Sequence, residues 1–146
     1  MNALKISLAL VATLAAGCGK EETGGATPAG HDHPPAPHGG EVLDLGDGDA
    51  HLEMIHDHAG GNVTVYVLGA DLKTPIAVEM PVIQINRKGL LIPISLTPID
   101  PAPDGKATGW KGSHVGLKAD PWDGRIRVTI GDKNYQSPLE AEGHEH

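Results

Sequence analysis

Aromatic side chains are almost missing from this chain. Its 146 residues include two Trp, two Tyr and no Phe. A core built from them must rest on Val, Ile and Leu, so only moderate stability is expected. Cysteine occurs once, at Cys18, which rules out an intramolecular disulfide. Basic residues are scarce: 11 Lys and Arg stand against 19 Asp and Glu, a net charge of −8. That balance argues against nucleic acid and against an anionic lipid surface as partners. No apolar run reaches the roughly 20 residues needed to span a bilayer. No segment has convincing helical periodicity. Catalytic signatures are missing as well. Gly112-Ser113-His114 is not a Gly-x-Ser-x-Gly elbow, and there is no His-Glu-x-x-His helix. The chain is expected not to be an enzyme.

The N-terminus carries an address. Lys5 precedes an apolar run from Ile6 to Ala16, the form of a signal-peptide core. The run ends Leu14-Ala15-Ala16-Gly17-Cys18, which looks like a bacterial lipobox with Leu14 one place further out than is commonest. Residues 1–17 are therefore expected to be removed and Cys18 to carry lipid. A lone thiol is odd in a secreted protein, whereas a thioether to lipid accounts for it. More than one acyl chain makes such anchoring stable. Gly19 follows the Cys where Asp would signal retention, so the expected location is the outer membrane, facing the periplasm.

Residues 18–40 are rich in Gly, Pro, Ala, Thr and Glu and have almost no large apolar side chains. They read as a disordered tether with a reach of about 25 Å. From 41 to 139 the pattern is that of short strands. Ala50 to His56 alternates, with Leu52 and Met54 on one face and His51 and Glu53 on the other. Val63 to Leu68 is the strongest strand, and a turn at Asp57–Asn62 makes the two a hairpin. Ile76 to Asn86, Leu90 to Leu96, a weak segment from Trp110, Gly124 to Ile130 and Tyr135 to Leu139 complete seven or eight strands, with Thr97 to Thr108 as loop. The expected fold is all-β: an antiparallel sandwich, immunoglobulin-like in its likeliest variant. Residues 140–146 form a His-rich polar tail.

What the chain has in excess is histidine, nine in all. Neutral imidazole is the commonest ligand for borderline divalent ions. Two His one residue apart on an extended segment point the same way, and both reach one ion. Such pairs occur at His31/His33, His56/His58 and His144/His146, with His38 nearby and with Glu53 and Asp57 between His51, His56 and His58 of the second strand. The candidate metal ligands are thus His31, His33, His38, His51, Glu53, His56, His58, His144 and His146. Asp32, Asp57 and Glu145 add negative potential. With no thiolate left after lipidation and few Met, the fitting ions are Zn, Cu, Ni or Co rather than Cu(I). His114 stands alone and reads as an ordinary surface or core residue. The competing explanation is plain. Polar tails gather His without a role, and alternation alone accounts for a polar strand face.

Pro37-His38-Gly39-Gly40-Glu41-Val42, then Gly48-Asp49-Ala50-His51-Leu52-Glu53-Met54, then Val63 to Leu68 and Asp71-Leu72-Lys73-Thr74-Pro75 carry a resemblance. Together they resemble a family of small, uncharacterised, His-rich bacterial envelope lipoproteins. Val128 to Tyr135 and the His-rich tail fit it loosely. A similar Pro-His-Gly-Gly opening occurs in N-terminal domains of periplasmic adaptor subunits of heavy-metal efflux pumps. The resemblance implies an envelope location and a link to metal handling. The adaptors' hairpin and barrel domains have no room in this chain.

The resulting expectation is a membrane-anchored lipoprotein that binds a divalent transition metal as buffer, sensor or delivery module. Its partners would be the membrane, through lipid, and a metal-efflux or other envelope protein. The alternative is a structural or protein-interaction sandwich with incidental histidines. A copper–zinc superoxide dismutase has a comparable His-x-His strand, but its disulfide and further His ligands are missing.

Overall fold

A computed structural model describes residues 34–119 and 122–141. The signal segment, Cys18, His31, His33, His144 and His146 lie outside the described residues. The strands are β1 (Glu41–Leu45), β2 (Ala50–Asp57), β3 (Asn62–Gly69), β4 (Val82–Arg87), β5 (Leu90–Ile94), β6 (Leu96–Ile99), β7 (Gly109–Ser113), β8 (Trp122–Ile130) and β9 (Lys133–Ala141). They form two antiparallel sheets, ordered β1-β2-β3-β7-β6 and β5-β4-β8-β9. The expected all-β sandwich is what the chain forms. The first three strands make a meander within one sheet, joined by tight turns at residues 46–49 and 58–61. In the immunoglobulin arrangement the third strand already crosses to the other sheet; here the crossing waits for the β3–β4 connection.

Alternation builds the core. Leu52, Val63, Val65 and Val67 from the first sheet meet Ile83, Ile85, Ile126, Val128 and Leu139 from the second, all at most 1% exposed. Trp110 and Trp122 supply the bulk that the missing Phe would have given. Ile126 and Val128 point in, and Arg125 and Arg127 lie on the opposite face, as the pattern requires.

Two strand assignments change. The run from Leu90 to Leu96 is two strands in different sheets, with Ser95 alone between them. The segment expected as loop from Thr97 supplies most of β6. Pro93 and Pro98 fit because β5 and β6 are both sheet edges, where a missing N–H costs no ladder bond. The region from Ile76 becomes strand only at Val82. Before it, Pro75 and Val78 make isolated bridges to Leu68 and Ala107. The weak segment after Trp110 ends at Ser113 and turns into a single 3₁₀ turn, Val115–Lys118. His114 caps that turn, its Nδ1 accepting from the Gly116 amide at 2.9 Å. Among the described residues no helix is long and apolar enough to cross a membrane.

Candidate functional site

The turn Ala36-Pro37-His38-Gly39 closes with the Gly39 amide donating to Ala36 O at 3.1 Å. Proline second and glycine fourth suit such a turn. Gly39 adopts φ +78°, which glycine takes without strain. Gly40 then passes so close to β2 that a Cβ would lie 2.5 Å from Met54 O. These features lay residues 38–40 across the outer face of the first sheet. Residues 38–40 thus pack against the sandwich before β1 begins at Glu41.

Beneath that strap is Glu53, fully buried. Its Oε1 accepts from the His38 amide at 2.7 Å and from the Gly40 amide at 2.9 Å. Its Oε2 accepts from His38 Nδ1 at 2.7 Å. Burial pushes the Glu53 carboxyl up, but the Gly40 amide and then the ring and amide of His38 outweigh it. The group sits below its ordinary value and stays ionised. A carboxylate only accepts, so His38 Nδ1 carries a proton. In the neutral ring the lone pair is then on Nε2.

The strand beside β2 fixes the ring's plane. Glu53 pairs with Tyr66 in the β2–β3 register, and Tyr66 pairs with Gly109 of β7. A Cβ on Gly109 would lie 2.7 Å from the Tyr66 ring, so the phenol occupies the space that a side chain there would fill. His38 stacks on Tyr66 with centroids 3.8 Å apart and planes 11° apart. Glycine, tyrosine and histidine thus form three layers on the sheet. The His38 side chain remains 42% exposed, and Nε2 has no hydrogen-bond partner among the described residues.

The other candidate ligands go elsewhere. His51 is buried, not on a solvated face, with Nδ1 3.0 Å from Gly69 O and Nε2 3.2 Å from Asp44 Oδ1. Glu53 orients a histidine instead of offering itself to solvent. His56 follows Leu52 and Met54 on the core-facing side and donates from Nε2 to Leu117 O at 2.7 Å. Its ring meets Trp122 edge-on at 5.2 Å and His58 at 6.0 Å. Asp57 holds its own turn, accepting from the Gly60 amide and the Asn62 side chain. The expected convergence of His51, Glu53, His56 and His58 on one ion fails because odd and even positions of β2 face opposite ways. Among the described residues no three His, Cys, Asp or Glu side chains gather to hold a metal.

No family model, curated protein or solved structure matches this chain. The site must therefore be read from its chemistry. Sequence reasoning missed the joining of His38 to Glu53 and the part played by Tyr66 and Gly109. The available signal was Gly39-Gly40 directly after a His, thirteen positions before a carboxylate on the outer parity of a strand. A shallow depression elsewhere on this sheet, lined by Asn62, Thr64, Ser95, Thr97, Lys111 and Ser113, has no imidazole or carboxylate.

Proposed function

We propose that this is a lipid-anchored envelope protein that captures a divalent transition metal through imidazole, with His38 as its pre-oriented ligand. One observation carries the reading. A buried, ionised Glu53 accepts a hydrogen bond from His38 Nδ1, and the ring keeps a free nitrogen and a 42% exposed side chain. Metal-ligating histidines use this support: the second nitrogen donates to a carboxylate, which fixes the tautomer and raises basicity. His31 and His33, with Asp32, stand a few residues upstream in the sequence. They supply further ligands of the kind that Zn²⁺, Cu²⁺, Ni²⁺ or Co²⁺ accepts. Glu53 is the second layer of such a site. The lipid on Cys18 holds the site at the membrane, and a metal-efflux or other envelope protein is the fitting partner. The resemblance of Pro37 to Gly40 to envelope metal-handling proteins agrees with this.

Calorimetric titration with Zn²⁺, Cu²⁺ and Ni²⁺ tests the reading. The expected dissociation constant is tighter than about 100 μM. Glu53→Gln should weaken it by about 10–100-fold while leaving every ligand atom in place. Affinity unchanged in both His38→Ala and Glu53→Gln overturns the proposal. In cells, Cys18→Ser should abolish labelling by palmitate and release the protein from membranes.

A second reading is a protein-interaction module. It is favoured by the β4–β5 hairpin, which exposes Leu90 at 70% and Leu91 at 43%. Absence of saturable metal binding would leave that reading in place.

A further inference from the structure

We infer that the ion reaches His38 already carrying a small di- or tricarboxylate, whose far end is held by Lys111 and the hydroxyls around it. The inference rests on the His38 reading and names its cargo. Two rows of residues on the outer face of the first sheet carry it. In the first row Glu53 pairs with Tyr66, and Tyr66 with Gly109. His38 is stacked on that row. In the second row Thr64 pairs with Lys111, and Lys111 with Thr97. Thr64 and Tyr66 are two residues apart on one strand, so both rows face the same way, and they lie about 7 Å apart. Val63, Val65 and Trp110, at the intervening positions, are buried in the core.

The second row belongs to the depression lined by Asn62, Thr64, Ser95, Thr97, Lys111 and Ser113, which has a volume of about 580 Å³. Its one charged side chain is Lys111, exposed and without an ion pair among the described residues. Thr97 donates to Lys111 O at 3.3 Å, and the hydroxyls of Thr64, Ser95 and Ser113 are left to turn toward a ligand. An ammonium on a flexible four-carbon stem with three donors, among hydroxyls and with no acid, suits the oxygens of an anion. The same ammonium repels a bare divalent cation one row away. His38 offers one nitrogen, and among the described residues no three ligating side chains gather. An ion that brings carboxylate ligands meets both conditions at once. It fills part of the shell that one imidazole leaves open, and it presents negative charge to Lys111. A di- or tricarboxylate has the span to place one end on the ion and another in the depression.

Equilibrium dialysis of the full chain against Ni²⁺ and citrate, each radiolabelled, reads the two components separately. The parent should retain them in equal amounts, and citrate only when nickel is present. His38→Ala should lose both labels. Lys111→Glu should keep nickel and cut citrate retention at least about 10-fold, because like charges then face each other. Lys111→Gln, which removes the charge and keeps most of the length, should fall between. Lys111 is exposed, and far-ultraviolet dichroism checks that each variant keeps the fold. Nickel retained without citrate overturns the inference and leaves the His38 reading intact. Neither label retained by the parent overturns both. Citrate retained without nickel, or equally well by Lys111→Glu, overturns the inference as well.

Discussion

The ring of His38 stacks on that of Tyr66, 3.8 Å away, and Tyr66 in turn packs against Gly109. The stack fixes one plane of the imidazole and Glu53 fixes its rotation within that plane. Each constraint alone would leave the ring a degree of freedom. Together they give one side chain, on a segment with no regular secondary structure, the placement normally reserved for a residue inside a strand.

Acid should release the strap. Glu53 is below its ordinary value of 4.5 in the folded protein. A depressed carboxyl adds stability above its unfolded value and loses it as pH falls through the folded one. Stability should therefore be level near neutrality and decline below about pH 4.5. Glu53→Gln should cost about 2–3 kcal/mol at pH 7, because three donors lose an ionised acceptor. It should also flatten the acid decline. Urea unfolding at several pH values measures both, and a decline as steep in the variant as in the parent would contradict the assignment.

Gly39 and Gly40 should fail in different ways. A Cβ at Gly39 meets nothing within 4 Å but must adopt φ +78°. Gly39→Ala should cost about 1–2 kcal/mol and leave the His38 ring on Tyr66. At Gly40 the obstacle is the backbone oxygen of Met54. Gly40→Ala should lift the strap, so that the imidazole proton resonances of His38 lose the ring-current shift from Tyr66. Proton NMR of the two variants separates these outcomes.

Asp71 should titrate at about 2, with the Thr74 hydroxyl the largest cause and the Thr74 and Lys73 amides next. Its Oδ2 accepts from the Thr74 hydroxyl at 2.6 Å and its Oδ1 from the two amides. Thr74→Val should raise the titration toward 3.8, read from the carboxyl carbon shift. The same turn holds Leu72 at φ +58° while burying it to 5% exposure. Loss of the Asp71 contacts in strong acid should therefore loosen the loop that covers this part of the sheet.

Much of the fold was legible because alternation is a local property. Ile126 and Val128 against Arg125 and Arg127 needed no tertiary information. Nor did the hairpin from His56 to Val63. The split at Ser95 was not legible, because one residue between two apolar strands carries no turn signal. At the site, the grouping along the chain is not the grouping in space. His51, Glu53, His56 and His58 look like one cluster along the chain, yet the first two face outward and His56 faces the core. Burial of His51 and Glu53 depends on what covers them, and neither the strap nor the Asp44 and Gly69 partners can be read from β2 itself.

The clasp of His38 and Gly40 onto Glu53 also decides how the domain takes a load. From Pro34 the chain enters the sheet through this strap before β1 begins at Glu41. A pull arriving along the chain from that side meets the buried carboxylate first, and the ladder between β1 and β2 only after it has given way. The strap is a strain relief for the edge of the sandwich.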